Sequence, residues 1–377
     1  EIFRQYTQEG KLGKLGIDSE GLQTRLKDNE YEAFKNGSES TTRVTYKDFN
    51  LASRQQIGEY LQDFGWKPNE FTPTGQPKVD ETVLSTVKDI PEAALIAEYL
   101  MFQKRVALIK SWLSFSNYGR VHGGVNSNGT ITGRMTHKDP NLAQVPSVSS
   151  PYGKECRSCW TVPRGYKLVG IDASGLELRM LAHYLNDKEF INEIINGDIH
   201  TVNKIRAGLQ SRDQAKTFIY AFIYGAGDTR IGEVVGGNQA TGRRIKRSFL
   251  NNFPSFKTLR DRITREADEK EFIKSLDGRK VFIRSSHAAL NSLLQSAGAV
   301  VMKRALIIFN NELKQSNIDA HFVANVHDEW QIETWHEDID RLGKMGTNAI
   351  IKAGEYYNLN CPLDAEYKIG DNWSETH

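Results

Sequence analysis

Apolar residues recur at helical spacing from Ser53 to Phe64 and again from Pro91 to Leu113, which predicts two helices. Lys104 and Arg105 fall on the polar face of the second. Between residues 118 and 150 the pattern breaks up. Gly119, Gly123, Gly124, Gly129, Gly133, Pro140 and Pro146 punctuate it into turns and short strands. Tyr166 to Ile171 reads as a buried strand, and Leu176 to Tyr184 then turns helical. Residues from about 186 to 275 are mainly helical and rich in Lys and Arg, and Asn291 to Asn311 is a long amphipathic helix. Ala320–Val326 and Trp330–Glu333 flank His327-Asp328-Glu329 as a hairpin. Residues 1 to 50 are polar, with closely spaced glycines and weak periodicity. The whole predicts an α+β chain, a strand-rich base interrupted by a helical insertion.

A chain of 377 residues is too long for one simple core and suggests two or three subdomains. Net charge is +2, from 49 Lys and Arg against 47 Asp and Glu, so bulk charge neither implies nor excludes a nucleic-acid partner. No apolar run reads as a membrane span, and no membrane role is expected. The first residue is Glu1, which points to a fragment or processed product. Three cysteines, Cys156, Cys159 and Cys361, form no disulfide framework and fit a reducing compartment. Cys156 and Cys159 have C-x-x-C spacing but no second pair, and read as incidental.

The chemistry concentrates in a few places. Asp172 follows the apolar run Leu168-Val169-Gly170-Ile171. A lone Asp there usually caps a strand end. Asp328 and Glu329 occupy a similar position on a tight turn between apolar runs. If the fold unites the two sites, their carboxylates make an oxygen cage for two divalent cations, with the Ala173 carbonyl facing the same ions. Arg212, Lys216, Tyr220 and Tyr224 recur at a spacing of four on a helix that Ser211 could cap and Gly225 could end. Cations near a helix N-terminus suit a triphosphate, although from this stretch alone a solvated basic helix with its aromatics in the core is the better reading. His200 could donate to the same phosphates. Thr132-Gly133-Arg134 and Gln295 declare no role by themselves.

Taken together these motifs resemble family A DNA polymerases, the bacterial polymerase I superfamily. Asp172 to Arg179 resembles motif A, Arg212 to Gly225 motif B, and His327-Asp328-Glu329 motif C. Thr132-Gly133-Arg134, Pro140 to Pro146 (with Gln144), Asp277-Gly278-Arg279-Lys280, His287 to Asn291 and Leu294 to Gly298 also match. Asp172 to Arg179, Lys216 to Tyr220 and Tyr224 to Asp228 resemble the phage T-seven replicative type. The resemblance runs from about residue 50 to the end.

It implies a right-hand fold with an antiparallel-sheet palm, helical fingers and a helical thumb of open length. Residues 1–115 would be the thumb and the approach to the palm, 116–185 and 286–377 the palm, and 186–285 the fingers. Asp172, Asp328 and the Ala173 carbonyl would hold two Mg²⁺ ions, which Mn²⁺ could replace, with Glu329 beside them as a secondary carboxylate. Arg212, Lys216 and His200 would bind the incoming dNTP. Glu177 would exclude a 2′-hydroxyl, and Tyr220 would favour acceptance of dideoxynucleotides. Arg134 and Gln295 would contact minor-groove acceptors shared by every correct pair. His327 would lie near the primer end, and Gln144, Tyr224, His287 and Asn291 would also face DNA.

The implied partners are primer–template DNA and dNTPs, acting on a monomer in the cytoplasm of a phage-infected or bacterial cell. Nothing in residues 1–50 supports a processivity factor, and no 3′–5′ exonuclease is expected. A single-subunit RNA polymerase is the alternative enzyme, which Glu177 disfavours. An idle DNA-binding subunit is the alternative of another class.

Overall fold

The computed structural model describes residues 3–10, 15–17, 23–25 and 41–377, with side chains from Phe49 onward. The remainder of the sequence reading for residues 1–50, including the missing match to a processivity-factor site, lies outside the described residues. The chain divides into two compact units, residues 1–107 and 108–377.

In the first unit, β1 (Phe3–Gly10), β2 (Leu15–Ile17), β3 (Gln23–Arg25) and β4 (Thr41–Asp48) form two antiparallel pairs, β1 with β4 and β2 with β3. Helix α1 (Arg54–Asp63) starts where Ser53 accepts from the Gln56 amide. Helix α2 (Glu81–Leu84) starts where Asp80 accepts from Val83. Helix α3 (Pro91–Ser114) opens on a proline, whose missing N–H costs nothing at a helix start. Ile57 and Leu61 of α1 meet Ala93, Ile96, Ala97 and Leu100 of α3 in a small core. The spacings of three and four put each set on one helix face.

The second unit opens with short antiparallel pairs, β5 (Ser116–Asn117) with β6 (Arg120–Val121) and β7 (Gly124–Asn126) with β8 (Thr136–Lys138). These are the short strands expected from the glycine punctuation. A 3₁₀ turn at Leu142–Gln144 and helix α4 (Gly153–Ser158) lead to β9 (Tyr166–Ala173). Seven helices follow, α5 (Leu176–Leu185), α6 (Lys188–Ile195), α7 (Ile199–Ala207), α8 (Arg212–Ile223), α9 (Asp228–Val234), α10 (Gln239–Asn251) and α11 (Pro254–Lys270). The helical insertion is thus present. Phe218, Phe222, Phe249, Phe253 and Phe256 interlock across α8, α10 and the start of α11. Aromatic pairs of this geometry add directional preference to burial.

A hairpin of β10 (Phe272–Lys274) and β11 (Lys280–Phe282) precedes helix α12 (Ala289–Gln315). By length and composition the stretch Ser286–Gln315 could cross a membrane, which the sequence reading had not registered. Its most apolar 18-residue window is 61% buried within the protein, as in a core helix. Strands β12 (Ala320–Val326) and β13 (Glu329–Trp335), helix α13 (Ile339–Tyr356) and β14 (Ala365–Gly370) complete the unit.

The main sheet has the order β12-β13-β9-β14, antiparallel throughout. One face is apolar. Val169, Ile171, Trp330 and Ile332 are fully buried there, and Trp330 stacks on Phe309 of α12. The alternate residues Asp172, Glu329, Gln331 and Glu333 share the opposite face. Gly170 on that face is tight: a Cβ there would lie 2.3 Å from the Thr376 carbonyl, so glycine lets the last residues of the sequence pack onto the sheet.

Candidate active site

Strand β9 ends with Asp172 and Ala173, and the chain then turns through Gly175 at φ 59° into α5. Glycine holds this left-handed conformation without a Cβ penalty. The β12–β13 hairpin places His327 and Asp328 in its turn, with His327 at φ 59°. The two turns are joined directly: the Ala173 amide donates to the Asp328 carbonyl at 3.2 Å. Asp172 stands opposite Glu329 in the β9–β13 register.

Burial, then the nearby charges of Asp328 and Glu329, push the Asp172 carboxyl up to about 7. Burial also raises Asp328. A carboxylate pair whose charge is disfavoured by its surroundings is a fit place for a divalent cation, which would restore both to the ionised form. The hard-oxygen donors of Asp172, Asp328 and the Ala173 carbonyl suit Mg²⁺. Among the described residues no group of three or more His, Cys, Asp or Glu side chains is arranged to hold a metal ion.

Glu329 is engaged elsewhere. Gln331 Nε2 donates to Oε1 at 2.6 Å, the Trp373 indole donates to the same oxygen, and His377 Nδ1 lies 2.8 Å from Oε2. Burial alone would raise this carboxyl, but these hydrogen bonds outweigh it and hold it below the usual glutamate range. Arg157 adds an ion pair at 3.7 Å and stacks over Trp373. Thr376 Oγ1 donates to Gln331 Oε1 at 2.7 Å. Sequence reasoning missed Arg157, Trp373, Thr376 and His377, because none lies in a motif with its own chemistry.

Glu177, on the first turn of α5, is buried and receives two donors. Arg134 Nη2 reaches Oε1 at 2.8 Å, and the Tyr224 hydroxyl donates to Oε2. Burial, reinforced by that hydrogen bond, pushes the Tyr224 phenol up. The sequence reading had Arg134, Glu177 and Tyr224 in separate roles; the structure brings them together. Arg134, His327 and Asp328 also line one small cavity with Lys303 and Asn325. Burial, and then the charges of Arg134 and His137, lower the His327 imidazole.

Helix α8 begins with a capping box in which Ser211 and Gln214 satisfy each other's backbone donors. Tyr224 and Gly225 follow its end. Lys216 and Arg212 are exposed on it, and Tyr220 is half-buried. Burial raises the Tyr220 phenol, and the charges of Glu177, Asp328 and Asp172 add to the rise. Lys216, Tyr220, Tyr224 and Arg230 line an open cleft of about 560 Å³, within the range of small-ligand sites. His200 sits near Arg212 and Lys216, and burial, then Arg212, lowers its imidazole. Among the described residues its shielded Nδ1 has no hydrogen-bond partner.

The remaining predicted residues lie on neighbouring elements. Gln295 Nε2 donates to Asn291 Oδ1 at 2.9 Å, one turn away on α12. The His287 carbonyl lies 3.3 Å from where a Cβ on Gly225 would stand, so it backs the end of α8. Gln144 is exposed on its 3₁₀ turn.

The family model for DNA polymerase family A matches residues 20–375. The chain belongs to that family. The family A chain is 43% identical over 378 residues to the DNA-directed DNA polymerase of Enterobacteria phage T3, and 42% identical to that of Escherichia phage T7. Each alignment covers 89% of this chain and 54% of the relative, so the chain spans about half the length of these relatives. DNA polymerase I of Pseudomonas aeruginosa is 27% identical, with 96% of this chain and 41% of the relative covered. Among solved structures, the POL domain of Pol1 from M. smegmatis, in complex with DNA primer-template and dNTP, superposes with a TM-score of 0.78. It is 21% identical and covers 87% of this chain and 62% of that one. The α+β right-hand fold expected from the sequence is therefore the fold of this family A chain.

Proposed function

We propose that this chain is a template-directed DNA polymerase that extends a primer 3′ end with dNTPs and releases pyrophosphate. The observation that carries this reading is the joining of the Asp172 and Asp328 turns by the Ala173–Asp328 hydrogen bond. Family membership and the relatives' names support it. Residues 116–185 and 286–377 form the palm, 186–285 the fingers and 1–115 the thumb side. The chain works as a monomer on primer–template DNA.

Asp172, Asp328 and the Ala173 carbonyl would hold two Mg²⁺ ions. When bound, these supply a lowered pKa at the primer 3′-hydroxyl and neutralise the leaving pyrophosphate. Glu329, fixed by Trp373, Gln331 and His377, keeps the Asp172 strand end in place. Arg212, Lys216 and His200 receive the triphosphate. Glu177, clamped by Arg134 and Tyr224, stands as a rigid wall against the sugar 2′ position and selects deoxyribose. Arg134, Gln295 and His327 contact the primer terminus, while Gln144, His287, Asn291 and Tyr224 contact DNA around it.

Primer extension with Mg²⁺ tests this directly. Asp172→Asn and Asp328→Asn should each abolish extension, since an amide is a poor ligand for a hard cation. Binding to primer–template should persist, because phosphate contacts dominate affinity. Near-normal extension by either variant would remove the assigned centre.

A further inference from the structure

Arg212, the cation nearest the start of α8, already has an anionic partner. Its Nε donates to Asp198 Oδ2 at 2.7 Å. Asp198 is held in place by its own helix. Its Oδ1 accepts from the backbone amides of His200 at 3.1 Å and Thr201 at 3.4 Å, capping α7. Thr201 Oγ1 donates to Oδ2 at 2.8 Å. The carboxylate is thus fixed, and the long Arg212 side chain is the member that can leave. Both side chains are partly exposed, 53% for Arg212 and 39% for Asp198, so a ligand can reach the pair. Lys216 is exposed and makes no ion pair among the described residues, and His200 lies near both cations. Of the groups available to a triphosphate here, only Arg212 must first break a bond.

We propose that Asp198 is a built-in competitor for the incoming triphosphate. It occupies the Arg212 guanidinium before nucleotide binds and releases it to a polyphosphate that Lys216 and His200 also hold. The carboxylate therefore lowers affinity for every polyphosphate that takes up Arg212. This inference rests on the reading of Arg212 as a triphosphate-binding residue.

The test uses the full chain in steady-state primer extension. It measures KM for dNTP, kcat, and inhibition by inorganic tripolyphosphate and by pyrophosphate. Asp198→Asn keeps the capping oxygen and removes the charge; Asp198→Ser keeps a cap by other means. Either should lower the dNTP KM and both inhibition constants about two- to fivefold, the scale of a half-exposed ion pair. In an Arg212→Ala background the same substitutions should have no effect, because the competitor then has nothing to hold. A raised or unchanged KM in both Asp198 variants overturns the proposal and leaves Asp198 as a helix cap. If Arg212→Ala alone changes neither KM nor tripolyphosphate inhibition, the phosphate-binding reading of Arg212 fails as well. If Arg212→Ala weakens both while the Asp198 variants do nothing, only the competitor role fails.

Discussion

Removing the Asp172 charge should make the metal-free protein more stable while leaving it inactive. The folded carboxyl holds its proton up to about pH 7, and the unfolded one only to the ordinary 3.8. Between those values the folded state binds more protons, so stability falls as pH rises through that window. The group contributes no penalty below about pH 3.8 and its full penalty above about pH 7. The gap between 3.8 and about 7 corresponds to ~4 kcal/mol at pH 8, an upper bound for what Asp172→Asn can recover. The assay is urea unfolding of wild type and variant in EDTA at pH 5 and pH 8. The variant should gain on wild type between those points, and Mg²⁺ at pH 8 should stabilise wild type far more than the variant. Equal pH slopes, or a variant less stable than wild type at pH 8, would refute the burial-and-repulsion account of this centre.

Glu177→Ala frees Arg134 and Tyr224 and opens the 2′ position; ribonucleotide incorporation relative to deoxyribonucleotide should rise on the order of tenfold or more in single-nucleotide extension. Tyr220→Phe should reduce dideoxynucleotide acceptance without a comparable loss for dNTP, measured as the ratio of kcat/KM values. Gly346→Ala on α13 would set a Cβ 2.3 Å from Ile171 Cδ1 beneath the sheet, and should cost about 1–3 kcal/mol in urea unfolding. Trp373→Ala removes a buried indole that packs against Trp160 and donates to Glu329, and should cost about 3–5 kcal/mol by the same measurement.

Local signals explain what was legible. Asp172 was readable because four apolar residues precede it and a helix period follows. Asp328 was readable because its turn separates two strand patterns. The capping residue Ser211 and the terminator Gly225 bracketed α8 closely, since both act through local backbone chemistry. Long-range pairings were not legible. No spacing reveals that Tyr224 and Arg134 meet on Glu177, or that Asp198 holds Arg212, because these contacts depend on how helices and hairpins pack. The last residues gave no sign of their work either. Trp373, Thr376 and His377 matter only because Gly170 leaves room for them on the sheet.

The order of strands in the main sheet has a consequence for how this family A chain folds. Strand β9 is central, yet Asp172 pairs with Glu329 on one side and Glu366 on the other. Those neighbours follow it in sequence by 157 (329 − 172) and 194 (366 − 172) residues. A nascent chain therefore displays β9 with both edges open until β13 and β14 have been synthesised. Pairings of such separation close slowly. The helical insertion can gather its own aromatic core meanwhile, but the two carboxylates cannot meet. The two carboxylates are thus brought together only after the insertion between them has been made. A chain stopped before β13 would retain the polar end of β9 without its partner.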